Sequence, residues 1–170
     1  NNSCNPCLRY KDKKGNQQYL NKPFRADFKN NKPFTVNDKQ VLKFIYTDVY
    51  NHDTLLHVEK TITFYEDSYE TLHEYEIKKG NISDLELVWR DGLAPIEANP
   101  KTDITDGKAT IKPFEEKKKS IQILKAKAKE KPTGDNKINN QSINWVAVQT
   151  KYFIVALLSK DTKPSNATMS

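Results

Sequence analysis

With 170 residues, the chain has room for one domain with a real core, or for two small ones. Its composition, 36% hydrophobic and 29% charged, is polar for a globular protein, yet the apolar residues fall in runs that a disordered chain lacks. The formal charge of +6 includes only three arginines, Arg9, Arg25 and Arg90, so the Arg-rich face of a nucleic-acid binder is missing and no nucleic-acid partner is expected.

Charge is distributed in blocks. Residues 1–40 carry nine basic and three acidic side chains, residues 41–107 six and fourteen, and residues 108–137 ten and four. Solvated Lys-rich loops around an acidic sheet face are the default reading of that pattern. The chain begins at Asn1 without an initiator Met or a signal peptide, which reads as an excised fragment. Residues 1–40 carry the least structural signal. Within them, Cys4-Asn-Pro-Cys7 has neither the strand-to-helix context of a redox motif nor the further ligands of a zinc site. Cys4 and Cys7 are instead a candidate loop-closing disulfide, oxidised in an oxidising compartment.

Strand signals then follow one another. Residues 41–48 alternate, with Leu42, Phe44 and Tyr46 on one face. Residues 55–65 set Leu56, Val58, Ile62 and Phe64 against Thr61, Thr63 and Tyr65. After the polar turn Glu66-Asp67-Ser68, residues 72–77 set His73, Tyr75 and Ile77 against Glu74 and Glu76. Leu85, Leu87 and Trp89 recur at period two. Past Gly92 the chain is irregular, with short strands expected at 109–114 and 120–124. Residues 126–141 read as a Lys-rich loop or short helix. Residues 143–158, INWVAVQTKYFIVALL, are the most apolar stretch. They fall short of the about 18 to 20 unbroken apolar residues that a spanning helix needs. Their β-branched content points to a long central strand, or to two strands with a kink near Gln149–Lys151. The expectation is an all-β fold, an antiparallel β-sandwich formed as a single domain over residues 1–170.

Catalytic patterns are scarce. The histidines are His52, His57 and His73, with no HxH or HxxxH spacing to suggest a metal site. No GxSxG, HExxH, P-loop or GxGxxG occurs. Glu74 and Glu76 lie two apart on one strand face and read as its solvated side rather than as a glycosidase pair. A non-catalytic binding or scaffolding role is therefore expected, with no cofactor and no metal. One alternative is a carbohydrate-binding or mutarotase-like protein using His57, His73 and Glu74. Another is an anionic-surface binder using Lys117, Lys118, Lys119, Lys125, Lys127 and Lys129.

Three stretches in order, Phe44-Ile-Tyr-Thr-Asp48 with Lys60 to Tyr65, Asp67 and Tyr69, then Leu87 to Asn99 with its W-x-x-G-L-x-P-x-E-x-N pattern, and Trp145-Val-Ala-Val-Gln-Thr-Lys-Tyr-Phe153, resemble the large periplasmic domain of the YidC family of bacterial inner-membrane protein insertases. The resemblance runs over roughly residues 41–158. It implies a β-supersandwich, similar to galactose mutarotase and incomplete here at its C-terminus. It also implies a periplasmic location, membrane anchorage through segments outside this chain, and Sec translocon accessory subunits and nascent membrane proteins as partners. The family's insertion groove lies in its transmembrane bundle, so no catalytic residue carries over. Trp89, Gly92, Pro95, Trp145, Ala147, Tyr152 and Phe153 match the pattern and are assigned structural roles.

Overall fold

Alternating apolar and polar side chains over residues 41–48, 55–65 and 72–77 fold as antiparallel sheet. The computed structural model describes residues 6–28, 33–89, 93, 108–113, 122–125, 136–150 and 152–169. Among them there are strands, turns and bends but no helix, and no helix long and apolar enough to cross a membrane. The fold is all-β, and among the described residues every strand pair is antiparallel. The chain divides into two compact units, residues 1–90 and 91–170.

In the first unit, β1 (Cys7–Lys11), β2 (Gln17–Leu20) and β7 (Ser83–Val88) form a three-stranded sheet in the order β2-β1-β7. β3 (Arg25–Ala26), β4 (Lys39–Tyr50), β5 (Asp53–Tyr65) and β6 (Thr71–Lys79) form a four-stranded sheet in sequence order. Strands were expected at 41–48, 55–65, 72–77 and 85–89; β1, β2 and β3 are additions in the segment with the weakest signal. The expected faces hold in register. Tyr46 lies opposite Val58 and Val58 opposite Ile77, so one row crosses β4, β5 and β6. Leu56, Val58 and Tyr46 are buried and meet Leu8 and Leu20 of the three-stranded sheet, with Tyr10, Phe24, Tyr75, Ile77 and Ile82 packed around them. The two sheets thus share one core, as in a small sandwich.

Local chemistry fixes the turns. Between β4 and β5, Asn51 and His52 both take positive φ, 47° and 63°, the mirror-image turn whose twist matches paired strands. Between β1 and β2, the Asp12 carboxylate accepts from the backbone amides of Lys14 and Asn16, each at 2.9 Å, and from Gln18 Nε2 at 3.2 Å. Gly80 follows β6 at φ 144°, where a Cβ would stand 2.6 Å from Leu56 Cδ1. Only glycine lets the backbone pass this close to the core.

In the second unit, β8 (Lys108–Pro113), β9 (Gln122–Lys125), β11 (Ile143–Gln149) and β12 (Ile154–Leu158) form a sheet in the order β12-β11-β8-β9. β10 (Asn136–Ile138) and β13 (Ala167–Met169) form a separate ribbon. β10 corrects the reading of 126–141 as loop or helix at Asn136–Ile138; residues 126–135 lie outside the described residues. Ile111, Ile138 and Ile143 are buried together, with Val146 and Ala167 against them, so the ribbon covers one face of the sheet.

Residues 143–158 are not one long strand. The chain reverses after Gln149, and Thr150 N donates to Phe153 O at 2.8 Å while Phe153 N donates to Thr150 Oγ1 at 3.3 Å. The reversal changes which residues share a face. A continuous strand would align Val146 and Val148 with Ile154, Ala156 and Leu158. In the hairpin, Ala147 lies opposite Ala156 and Trp145 opposite Leu158. Ile154, Ala156 and Leu158 therefore share the face of Trp145 and Ala147.

Candidate functional site

The face of β4–β6 turned away from the core carries the densest polar chemistry among the described residues. Cross-strand register places Ile45, Glu59 and Glu76 in one row and Lys43, Thr61 and Glu74 in the next. Glu59 is the hub. Lys43 Nζ lies 3.0 Å from its carboxylate, Lys78 Nζ 3.9 Å and His57 Nε2 3.8 Å. Lys78 also pairs with Glu76 at 2.5 Å. The hydrogen bond from Lys43 holds the Glu59 carboxyl below the ordinary carboxylate range, with the charges of Lys43 and Lys78 acting in the same direction. A shallow depression of about 270 Å³ is lined by Glu59, Thr61, Glu74, Tyr75 and Glu76. Of its carboxylates, Glu59 is shared with lysines from both neighbouring strands and Glu76 with Lys78 of its own strand. No cluster of three or more His, Cys, Asp or Glu suited to a metal occurs among the described residues.

The opposite face holds a second polar group. Lys60 lies in register between Phe44 and Tyr75 and is half-buried, with Nζ 5.2 Å from the Tyr75 ring centroid. Burial lowers the Lys60 pKa and pushes the Tyr75 hydroxyl up to about 12. That hydroxyl donates to the Pro6 carbonyl at 3.3 Å. His73 has Nε2 3.1 Å from Thr71 Oγ1, while its Nδ1 is buried without a hydrogen-bond partner among the described residues. Burial, then the Lys60 charge, lowers the His73 pKa. The long stem of Lys60 explains how a cation occupies an otherwise apolar row.

His57, with Nδ1 2.9 Å from Thr47 Oγ1, and Glu74 belong to the outer face, whereas His73 belongs to the inner one. The backbone of the sheet separates them, so these three do not form a convergent set. Cys7 is buried and disulfide-bonded, and the chain's other cysteine, Cys4, lies outside the described residues. Trp89 follows β7 and is half-buried; Gly92 and Pro95 lie outside the described residues. Trp145 is half-buried and Ala147 buried in β11, while Tyr152 and Phe153 stand exposed in the β11–β12 turn. Of the six lysines of the basic segment, Lys125 ends β9 and the other five lie outside the described residues.

Tyr69, Tyr152 and Phe153 fall within the sequence stretches named above and Tyr50 does not, but none of the four is read there as exposed at a hairpin end. Tyr50 flanks the β4–β5 turn, Tyr69 sits fully exposed in the β5–β6 turn, and Tyr152 with Phe153 occupies the β11–β12 turn. Strand alternation could not reveal them, because a turn has no inward face. No family model, curated protein or solved structure matches this chain.

Proposed function

We propose that the chain is a non-catalytic docking module, the periplasmic β domain of an inner-membrane insertase of the YidC type. Its partners would be Sec translocon accessory subunits or emerging membrane proteins. The observation that carries the docking role is the set of exposed aromatics at three hairpin turns: Tyr50, Tyr69, and Tyr152 with Phe153. Tyr and Phe are enriched where proteins meet, and a hairpin end presents them on rigid backbone. The insertase identity rests on the resemblance of the three sequence stretches. The mutarotase-like alternative lacks support from His57, His73 and Glu74, which lie on two sides of one sheet.

The test is photocrosslinking in the intact, membrane-embedded parent protein. Probes replace Tyr50, Tyr69 and Phe153 singly. Crosslinks to translocon subunits or to nascent chains are expected from at least one position. Recovery of no neighbour from any of the three would overturn the docking role.

A further inference from the structure

The exposed edge of β12 goes beyond that reading and stands independently of it. Among the described residues, β12 pairs with β11 alone, which leaves its other edge open. The turn fixes which groups point outward. Thr150 and Phe153 are a hydrogen-bonded pair. Hydrogen-bonded and non-bonded pairs alternate along an antiparallel ladder. Val148–Val155 and Val146–Leu157 are therefore bonded across the hairpin, whereas Gln149–Ile154, Ala147–Ala156 and Trp145–Leu158 are not. Ile154, Ala156 and Leu158 thus direct their backbone N–H and C=O groups away from β11. The same residues are exposed in their side chains, 62% for Ile154 and 70% for Leu158. Natural edge strands are guarded by charge, proline or a bulge. Ile154-Val-Ala-Leu-Leu158 has no charge and no proline, and its pairing with β11 is unbroken.

We infer that β12 is a self-association edge, where a second copy of this chain adds its own β12 antiparallel about a two-fold axis at Ala156. The sequence complements itself in that register. Ile154 meets Leu158 of the second copy, Val155 meets Leu157, and the small Ala156 faces Ala156 on the axis. No like charges oppose one another within the strand. Two residues beyond it, Lys160 falls opposite Tyr152 of the second copy, a cation beside a ring. All three outward-facing residues become hydrogen-bonded pairs, and two four-stranded sheets join into one of eight strands. The contact is isologous, so it closes at two copies. A five-residue ladder is small for an interface, which makes the dimer weak and reversible.

Sedimentation equilibrium of the whole chain over a wide concentration range tests this. A monomer–dimer equilibrium is expected. Ala156→Lys sets like charges face to face on the axis and should return the chain to monomer, with far-UV circular dichroism and melting temperature unchanged. Ala156→Cys should yield a disulfide-linked dimer under mild oxidation, whereas Tyr50→Cys, at an exposed site on the other unit, should not. A monomer at every concentration, a dimer that survives Ala156→Lys, or equal crosslinking at both cysteines would each overturn the inference.

Discussion

The two units solve the same problem with different surfaces. Each closes a core between a four-stranded sheet and a smaller partner. In the first unit the remaining face of the large sheet is tiled with paired charges, among them Lys43, Glu59, Glu76 and Lys78. Across the smaller sheet Arg9 pairs with Glu86 and lies over the Tyr19 ring. In the second unit the strand β12 shows Ile154 and Leu158 to solvent with no charge beside them in the strand. A charged face says that water is the partner. A bare apolar edge is costly in water, which is the ground for the self-association proposed for β12.

The largest expected effects test whether the two cores are separate. Leu56→Ala and Ile111→Ala each remove a buried side chain and should cost about 2–5 kcal/mol. Hydrogen exchange should quicken in β4–β6 for the first and in β8 and β11 for the second. If either substitution loosens both sets of strands alike, the comparison breaks. Gly80→Ala comes next: strain at positive φ and the approach to Leu56 should cost more than about 1 kcal/mol, read from chemical denaturation.

A pH effect sharpens the contrast between the faces of the first unit. His73 has its pKa lowered from the ordinary 6.5 by burial and by Lys60. The unfolded chain therefore takes up this proton first, and stability falls as pH drops below 6.5 toward the folded-state pKa. Ile62 lies opposite it, and the titratable groups in the next row of the same face are Lys60 and Tyr75, neither of them an anion that would compensate a histidine cation. His73→Gln should flatten stability over that window, as followed by melting temperature against pH. Glu59 behaves in the same direction at lower pH: its lowered pKa contributes stability that is lost as pH falls below the ordinary 4.5. The smallest effect is expected for Glu59→Gln at neutral pH, because the ion pairs lie at a wetted surface. The difference from wild type should shrink as salt rises.

Much of the first unit was legible. The alternation in 41–48, 55–65 and 72–77 placed Tyr46, Val58 and Ile77 on one face, because a half-buried strand writes its two environments at period two. Lys60 was not legible as an inward residue, since its charge disguises the apolar stem that lies in the row. β1 and β2 went unread although Asp12 and Gly15 mark their turn, because four or five residues give little periodicity. The hairpin of 143–158 was read only as a strand or a kinked pair. Its turn has no Gly, Pro or Asn, and the reversal is closed by the backbone and hydroxyl bonds between Thr150 and Phe153. β10 and β13 are three residues each and pair across a long stretch of sequence, so nothing local announces them. Tyr152 and Phe153 were legible as part of a sequence pattern and read as structural, but their exposure, like that of Tyr50 and Tyr69, emerged only with the turns in place.

The Thr150–Phe153 bonds carry one more consequence. Register in a sheet is normally enforced by the penalty for turning a polar residue inward. β12 is apolar at every position, so sliding it by one residue against β11 exposes nothing polar to the core. The alignment of the hairpin is thus held by its turn rather than by its pattern. Thr150→Val, which keeps shape and removes the hydroxyl, should leave the strand content intact while letting β12 sample shifted alignments, visible as doubled amide resonances for Ile154 to Leu158. The hydroxyl of Thr150 acts as a ratchet stop on an otherwise smooth rail.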